Sequence, residues 1–371
     1  MTPNIWIFSI ESIETRYTCE WYTHIPELLK QELTAFNVRQ VEGVQKHTEP
    51  TPGAFLNFSD TNYWKSSQLC SFLEKFNSGE TTPDDHFLFP DAWNPVVLQL
   101  KYISDLHGYN WVFHGLFHAG SWDPADFLGR SSGGKPWCID TERAMFHAFH
   151  HNYFATEFHI ELFHDYLFDA DKDGKFLAGA SVEHYRDQRK IVRTGWPMGY
   201  MRELLAPYNT ADKEDIVIFP HRLSVEKQPE IFRDLAESMP EYKFVVCQDT
   251  RLTKDEYRAL LAKSKILWSA SNQESLGISP AEGALLGVIP LMPKRLSYKE
   301  MYPAEYLYPS EWTVDYAAYQ QHKPQIMELV RNTMSTYNTR VTRLPSLANH
   351  LEKNYFTPVN LIKVIKTYEK H

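Results

Sequence analysis

The sequence predicts an α/β protein of two Rossmann-like domains facing each other across an interdomain cleft, and three observations carry that expectation. The chain has 371 residues, too many for one ordinary core and suited to two domains of common size. Short apolar runs alternate with longer amphipathic stretches almost from end to end, the pattern of a mostly parallel sheet covered by helices. A seam of Gly and Pro, Thr194–Met201 (TGWPMGYM), followed by the polar Ala206–Glu214, separates two such series. The expected division is an N-terminal domain over 1–200, a C-terminal domain over 201–355 and a closing helix over 356–371.

Taken in order, Ile5–Ile10, His86–Phe89, Trp111–Phe117 and Tyr153–Thr156 read as strands of the first half. Helix-like stretches lie between them near Tyr17–Leu33, Ser66–Lys75, Val96–Asp105 and Thr141–His150. In the second half Ile216–Phe219, Phe244–Gln248, Ile266–Ser269 and Val288–Met292 read as strands, with helices after Ser224, Thr253 and Ser279. Pro358–Lys370 carries apolar residues at helical spacing. Ligands of such sheets sit beyond the carboxyl ends of the strands, so the cleft between the domains is the expected active site.

An apolar share of 43% suffices for two cores, and an aromatic share of 14% favours ring-rich cores over grooves that stack sugars or bases. A net charge of −9 with a pI near 6.0 offers no overall attraction to nucleic acid or anionic membranes, which leaves such partners only local patches. Cys19, Cys70, Cys138 and Cys247 have no metal-ligand spacing and suit reduced thiols in the cytoplasm. The opening MTPNIWIFSIESIE has no basic leader and reads as a first strand. No apolar stretch approaches the roughly 20 residues that cross a bilayer.

The strongest chemical signal is Gln273–Pro290 (QESLGISPAEGALLGVIP), which directly follows a strand. It holds Glu274 and Glu282 with seven residues between them. Ser275, Leu276 and Gly277 form a turn, and Pro280 suits the opening turn of a helix that runs through Glu282. The free N–H groups of a helix start bind anions. A glutamate just ahead of them can hold sugar hydroxyls, and Glu282, two turns in, would reach a ribose. A second piece is His221–Pro229 (HRLSVEKQP), where Arg222 follows a strand end and Lys227 sits in the first turns of a helix. Two cations there can clamp a pyrophosphate as it leaves, against the blander reading of two solvated charges.

These two segments resemble the donor-site motifs of the large retaining glycosyltransferase family that contains sucrose synthases and many lipid and polysaccharide mannosyl- and glucosyltransferases. The family reads Gly-Arg, four residues, Lys, and later Glu-Ser-Phe-Gly…Glu-Ala…Gly-Val-Pro. This chain has His-Arg…Lys and Glu-Ser-Leu-Gly…Glu-Gly…Gly-Val-Ile-Pro, over about a fifth of its length, Ile216–Met292. The resemblance implies the GT-B fold, a hexosyl or pentosyl transfer from a nucleoside diphosphate sugar as co-substrate, no other cofactor and no obligatory metal. It implies that Arg222 and Lys227 bind the donor diphosphate together with Ser275, Leu276 and Gly277. Glu274 would face the transferred sugar and Glu282 the ribose.

Two departures stand out. The family's glycine-rich loop after the first strand is replaced by Ser9–Trp21 (SIESIETRYTCEW), where Arg16, Thr15 or Thr18 would take over part of its work. The stretch from Lys227 to Glu274 is one strand–helix unit short, which leaves Gln248–Arg251 as the base-reading loop. Elsewhere, His118 closes a strand in Val112–Pro124 and has two readings, an active-site group near the sugar or a packed ring; His114 suits packing. Asp91 and Trp93 of PDAW could meet an acceptor or serve as a turn carboxylate and a core ring. His147 and His151, four apart on a helical stretch, suit packing better than a metal. Asp169–Phe176 (DADKDGKF) imitates a calcium loop but puts Ala180 where the bidentate glutamate belongs.

Arg186, Arg189, Lys190 and Arg193 concentrate four cations against one acid, and Lys294, Arg295 and Lys299 follow the last donor-site strand. They read as solvated charges or as a rim that tracks phosphates. Glu11–Tyr22 and Thr51–Asn62 resemble stretches of glycosyltransferases encoded by large tailed bacteriophages. That second resemblance implies DNA modification in a host cytoplasm, with a hydroxymethylated pyrimidine of phage DNA as acceptor. Glycan, lipid, protein and small-molecule acceptors stay open, as do a donor hydrolase or epimerase of the same fold and a non-catalytic binding module.

Overall fold

A computed structural model describes residues 2–46, 57–168, 179–209 and 212–369; the calcium-loop imitation therefore lies outside the described residues. The chain is α/β, with two parallel sheets of Rossmann type, one in each of two compact units. One unit comprises Met1–Pro197 with Pro358–His371, the other Met198–Thr357. The C-terminal helix thus packs with the unit that begins the chain.

Strands of the first unit are β1 (Asn4–Phe8), β2 (Asn37–Val41), β3 (His86–Phe89), β4 (Val112–Leu116), β5 (His151–Phe154) and β6 (Ile191–Arg193). They lie in the order β2-β1-β3-β4-β5-β6, every neighbouring pair parallel. Helices α1 (Tyr17–Glu32), α2 (Phe58–Asn77), α3 (Val96–His107), α4 (Phe127–Ser132), α5 (Pro136–Ala148), α6 (Glu157–Phe168) and α7 (Val182–Asp187) fill the connections. The second unit has α8 (Met201–Leu205), β7 (Ile216–Phe219), α9 (Pro229–Ser238), β8 (Lys243–Val246), α10 (Lys254–Lys263), β9 (Ile266–Trp268), α11 (Ile278–Leu285) and β10 (Ile289–Pro293). Then follow α12 (Tyr298–Met301), β11 (Leu307–Tyr308), α13 (Tyr316–Ser335), α14 (Tyr337–Arg340) and α15 (Leu344–Asn354), and α16 (Val359–Lys366) returns to the first unit. Its sheet runs β11-β10-β9-β7-β8, again parallel throughout.

Both strand orders reverse once, between β1 and β3 and between β7 and β9. Such a reversal leaves a crevice at the carboxyl ends of the two strands, because their connections leave toward opposite faces. The central strands are wholly buried runs such as NIWIF, HFLF and IVIF, as expected where helices cover both faces. The first core is built of rings: Phe8 stacks on Phe89 at 4.7 Å and Phe117 on Phe154 at 5.0 Å, while Phe72 meets Trp6, Phe87 and Trp111 edge-on. Each such pair adds about 0.5–1.5 kcal/mol to the burial of its rings.

Two expectations are corrected. His151 opens β5 while α5 ends at Ala148, so His147 and His151 share no helix. Lys227 ends a separate 3₁₀ turn, Val225–Lys227; Gln228, at φ +53°, breaks it from α9.

Below the ring core, histidines of adjacent strands form a buried ladder. His86 Nδ1 lies 3.1 Å from His114 Nε2, and His114 Nδ1 lies 2.7 Å from the Tyr153 hydroxyl. His151 joins the Arg189 carbonyl at 2.6 Å to the Tyr368 hydroxyl at 2.8 Å, which ties the segment after α16 to the sheet. Burial, reinforced by neighbouring histidines, lowers His86 to about 3 and His114 well below the ordinary range. Histidine in an unfolded chain titrates near 6.5. A depressed folded pKa means that the stability is fully present above about 6.5 and is lost as the pH falls from there through the folded value. Unfolding free energy should therefore decline between about pH 6.5 and 3, by up to ~1.4 kcal/mol per pH unit for each of the two histidines. Urea denaturation across this range should show a shallower decline in His86→Gln and His114→Gln; an unchanged slope in both contradicts the ladder's neutrality.

Candidate active site

The crevice of the second unit collects the donor-type motifs. β7 delivers His221 and Arg222 beyond Phe219, and neighbouring β9 delivers Gln273 and Glu274 beyond Trp268. Lys227 Nζ sits 3.3 Å from Glu274 Oε2 and also donates to the Gln273 carbonyl and side-chain amide oxygens. The Lys227 side chain is 7% exposed and that of Glu274 20%, so the pair works in a poorly solvated place. Gly277 turns the chain into α11 with φ +83°. A Cβ there would stand 3.0 Å from the Tyr298 ring, so both conformation and space call for glycine. Leu276 is fully buried, which leaves its backbone rather than its side chain to face a ligand.

Arg222 is anchored from behind: its Nε and Nη2 donate to Glu226 Oε1 at 2.9 and 2.6 Å, and Ser224 Oγ donates to the same oxygen at 2.6 Å. Burial alone would raise the Glu226 pKa, but the Ser224 hydroxyl and the Arg222 charge outweigh it and hold the acid below its usual range. His221 is buried and stays neutral, because burial and the charges of Lys227 and Arg222 push its pKa well down. Its Nε2 has no hydrogen-bond partner among the described residues. Glu282 is the fifth residue of α11, nearer the helix start than expected, and accepts a 2.9 Å hydrogen bond from Tyr257.

The first unit has its own group at the β1/β3 reversal. His118, beyond β4, places Nδ1 2.6 Å from Tyr17 Oη and lies among the rings of Tyr17, Trp21 and Trp196. Burial lowers its pKa to about 4 against the opposing pull of Asp91, so the imidazole is neutral at pH 7. Arg16 lies over the Tyr17 ring at 5.7 Å. Asp91 is bound by Lys65 at 2.9 Å, and the Trp93 indole donates to Glu142 at 3.0 Å. Asp91 and Trp93 are thus tied into a network with Lys65 and Glu142.

The four-cation rim does not stand out as one surface. Arg186 and Arg193 share Glu157, and Lys190 turns inward to the carbonyls of His147 and Phe149, where burial lowers its pKa to about 8. Arg189 takes a left-handed conformation, φ +55°. Arg295 is likewise not a rim charge: its guanidinium donates to the carbonyls of Ala270, Ser271, Ser310 and Thr313.

The structure gathers Arg222, Lys227, Glu274, Ser275, Leu276, Gly277 and Glu282 in one unit, and Arg16, Asp91, Trp93 and His118 in the other. Sequence reading missed Glu226, Tyr257, Tyr298 and Tyr17. The acid directly before Lys227 was a usable signal for Glu226; the tyrosines reach the site only through the fold. Among the described residues no group of three or more His, Cys, Asp or Glu could hold a metal ion.

No family model matches the chain. It is 27% identical over 164 residues to a tRNA-queuosine alpha-mannosyltransferase of Drosophila melanogaster, a match that covers 34% of this chain and 44% of that protein. The match thus spans less than half the length of this curated relative. Among solved structures the chain is similar to trehalose-6-phosphate synthase OtsA (TM-score 0.60, 10% identity, 100% of this chain and 99% of that one). It is also similar to the sucrose-phosphate synthase of Thermosynechococcus elongatus (TM-score 0.58, 11% identity, 99% and 98%). A third is Anabaena HepE in complex with UDP and glucose (TM-score 0.57, 12% identity, 100% of both chains). At such identities the likeness speaks for architecture alone, and that architecture is the GT-B fold, an α/β chain of two Rossmann-like domains.

Proposed function

We propose that the protein is a retaining, metal-independent glycosyltransferase that moves a sugar from a nucleoside diphosphate sugar to a separate acceptor. The observation that carries this reading is the ion pair of buried Lys227 and half-buried Glu274 at the β7/β9 crevice, directly ahead of the start of α11. In the reaction the bond between the anomeric carbon and the diphosphate oxygen breaks, a bond to an acceptor hydroxyl oxygen forms, and the proton of that hydroxyl passes to the departing diphosphate. Arg222, Lys227 and the backbone N–H groups at the start of α11 take up the charge of the leaving diphosphate, a task that otherwise calls for a divalent ion. Glu274 faces the hydroxyls of the transferred sugar, and Glu282 the ribose. His118 offers a neutral imidazole to the substrate of the first unit.

For the acceptor we favour a modified nucleoside within a nucleic acid. The relative named for tRNA queuosine supports this class, and the bacteriophage resemblance supports its DNA form, a hydroxymethylated pyrimidine. Binding should be weak and steeply salt-dependent, since the protein carries a net charge of −9.

Arg222→Ala and Lys227→Ala should each weaken binding of UDP or GDP by roughly 10- to 150-fold, the worth of one charge-assisted contact. Glu274→Gln should reduce transfer more than it reduces binding of the free diphosphate, which has no sugar for Glu274 to hold. Calorimetry that finds diphosphate binding unchanged in both cation variants refutes the clamp.

Transfer should continue in EDTA and retain the anomeric configuration. Labelled nucleotide sugars offered to tRNA with or without queuosine, and to duplexes with or without hydroxymethylated pyrimidines, identify the acceptor. Incorporation that requires the modified base supports the nucleic-acid reading. Incorporation into neither, with the donor bound, moves the acceptor to a glycan, lipid, protein or small molecule; donor breakdown without any acceptor makes the protein a hydrolase.

A further inference from the structure

Glu282 does not hold its carboxylate alone. Tyr257 on α10 donates its hydroxyl to Glu282 Oε2 at 2.9 Å, and the Ser279 side chain, on the first turn of α11, hydrogen-bonds the same tyrosine. The ring is seated against the core around Cys247, Leu261, Leu267 and Leu286. α10 itself starts at a capping box in which Thr253 and Glu256 satisfy each other's backbone N–H groups, and Tyr257 is the next residue. The hydroxyl therefore arrives from a rigid element. Burial and the Glu282 charge raise the phenol pKa well above its usual value, so it remains a donor at every physiological pH.

The location gives this contact a meaning. Glu282 lies one turn beyond the phosphate-facing start of α11, and β8 ends at Val246 and leads into the turn Cys247–Asp249, whose Cys247 belongs to the core against which Tyr257 packs. A carboxylate between a diphosphate site and the end of a neighbouring strand is placed to accept from the vicinal hydroxyls of a ribose. It can do so selectively only if its plane is fixed, because a rotating carboxylate accepts equally from water.

We infer that Tyr257 is a positioning residue that orients Glu282 and thereby sets the preference for ribo- over 2′-deoxyribonucleoside diphosphates. The inference rests on the donor-site reading above and adds to it the source of its sugar selectivity.

The test is calorimetry on the full chain with UDP and GDP against their 2′-deoxy forms. The native protein should prefer the ribo form by about 10-fold or more, the worth of a hydrogen bond to a carboxylate. Glu282→Gln should bring the ratio near one. Tyr257→Phe should remove most of the preference while changing the affinity for the deoxy form less than ~2-fold, whereas a merely structural role would weaken both forms alike. The double variant should go no further than Glu282→Gln. A preference kept in Tyr257→Phe but lost in Glu282→Gln overturns the inference and leaves the donor site standing. A preference kept in both removes Glu282 from the ribose, and with it that part of the donor-site reading.

Discussion

A nearly buried ammonium is the constraint around which the second unit is arranged. An ion the size of Lys227 Nζ loses several kcal/mol of hydration when it leaves water, and only close, well-oriented acceptors offset that loss. Glu274 and the two oxygens of Gln273 supply them, which fixes the loop after β9 against the 3₁₀ turn after β7. That loop then leads through Gly277, the only residue type that suits φ +83° beside the Tyr298 ring, into α11. The position of the helix start and of Glu282 follows from the loop so fixed, and Tyr257 meets Glu282 from α10, which its own capping box and core packing hold. Arg222 is treated in the same way, its guanidinium set by the buried Glu226.

The first unit solves a different problem. Beside its crevice a histidine is held neutral by aromatic burial: Tyr17, Trp21 and Trp196 enclose His118 and exclude the water that would stabilise its cation. The same logic runs deeper through His86 and His114, where the imidazoles hydrogen-bond as uncharged groups. Neutral imidazoles and a ring-rich core are therefore parts of one arrangement.

Much of this was legible because buried parallel strands are continuous apolar runs: HFLF and IVIF are strands over the residues expected. β2 escaped because NVRQV lies at a sheet edge and exposes alternate polar residues. β6 escaped because its three residues were absorbed into a run of charges, and β11 because it has only two. The cations of that run were visible, but their partners were not: no spacing rule shows that Lys190 turns back onto the end of α5 or that Arg186 and Arg193 share Glu157. The motif residues of the second unit could be named because the two segments that hold them are short. Tyr257, twenty-five residues from Glu282, could not.

The account stands on the crevice between β7 and β9 as a nucleotide-sugar site, and backbone hydrogen exchange reads it most directly. Adding UDP-glucose or GDP-mannose in large excess stabilises whatever region binds it, by RT ln(1 + [L]/Kd). The account predicts slowed exchange at the amides of Glu274 to Ser279, carried by at least one of the two donors and lost in Lys227→Ala. Protection confined to other segments, or binding of either donor with these amides unchanged, would contradict it.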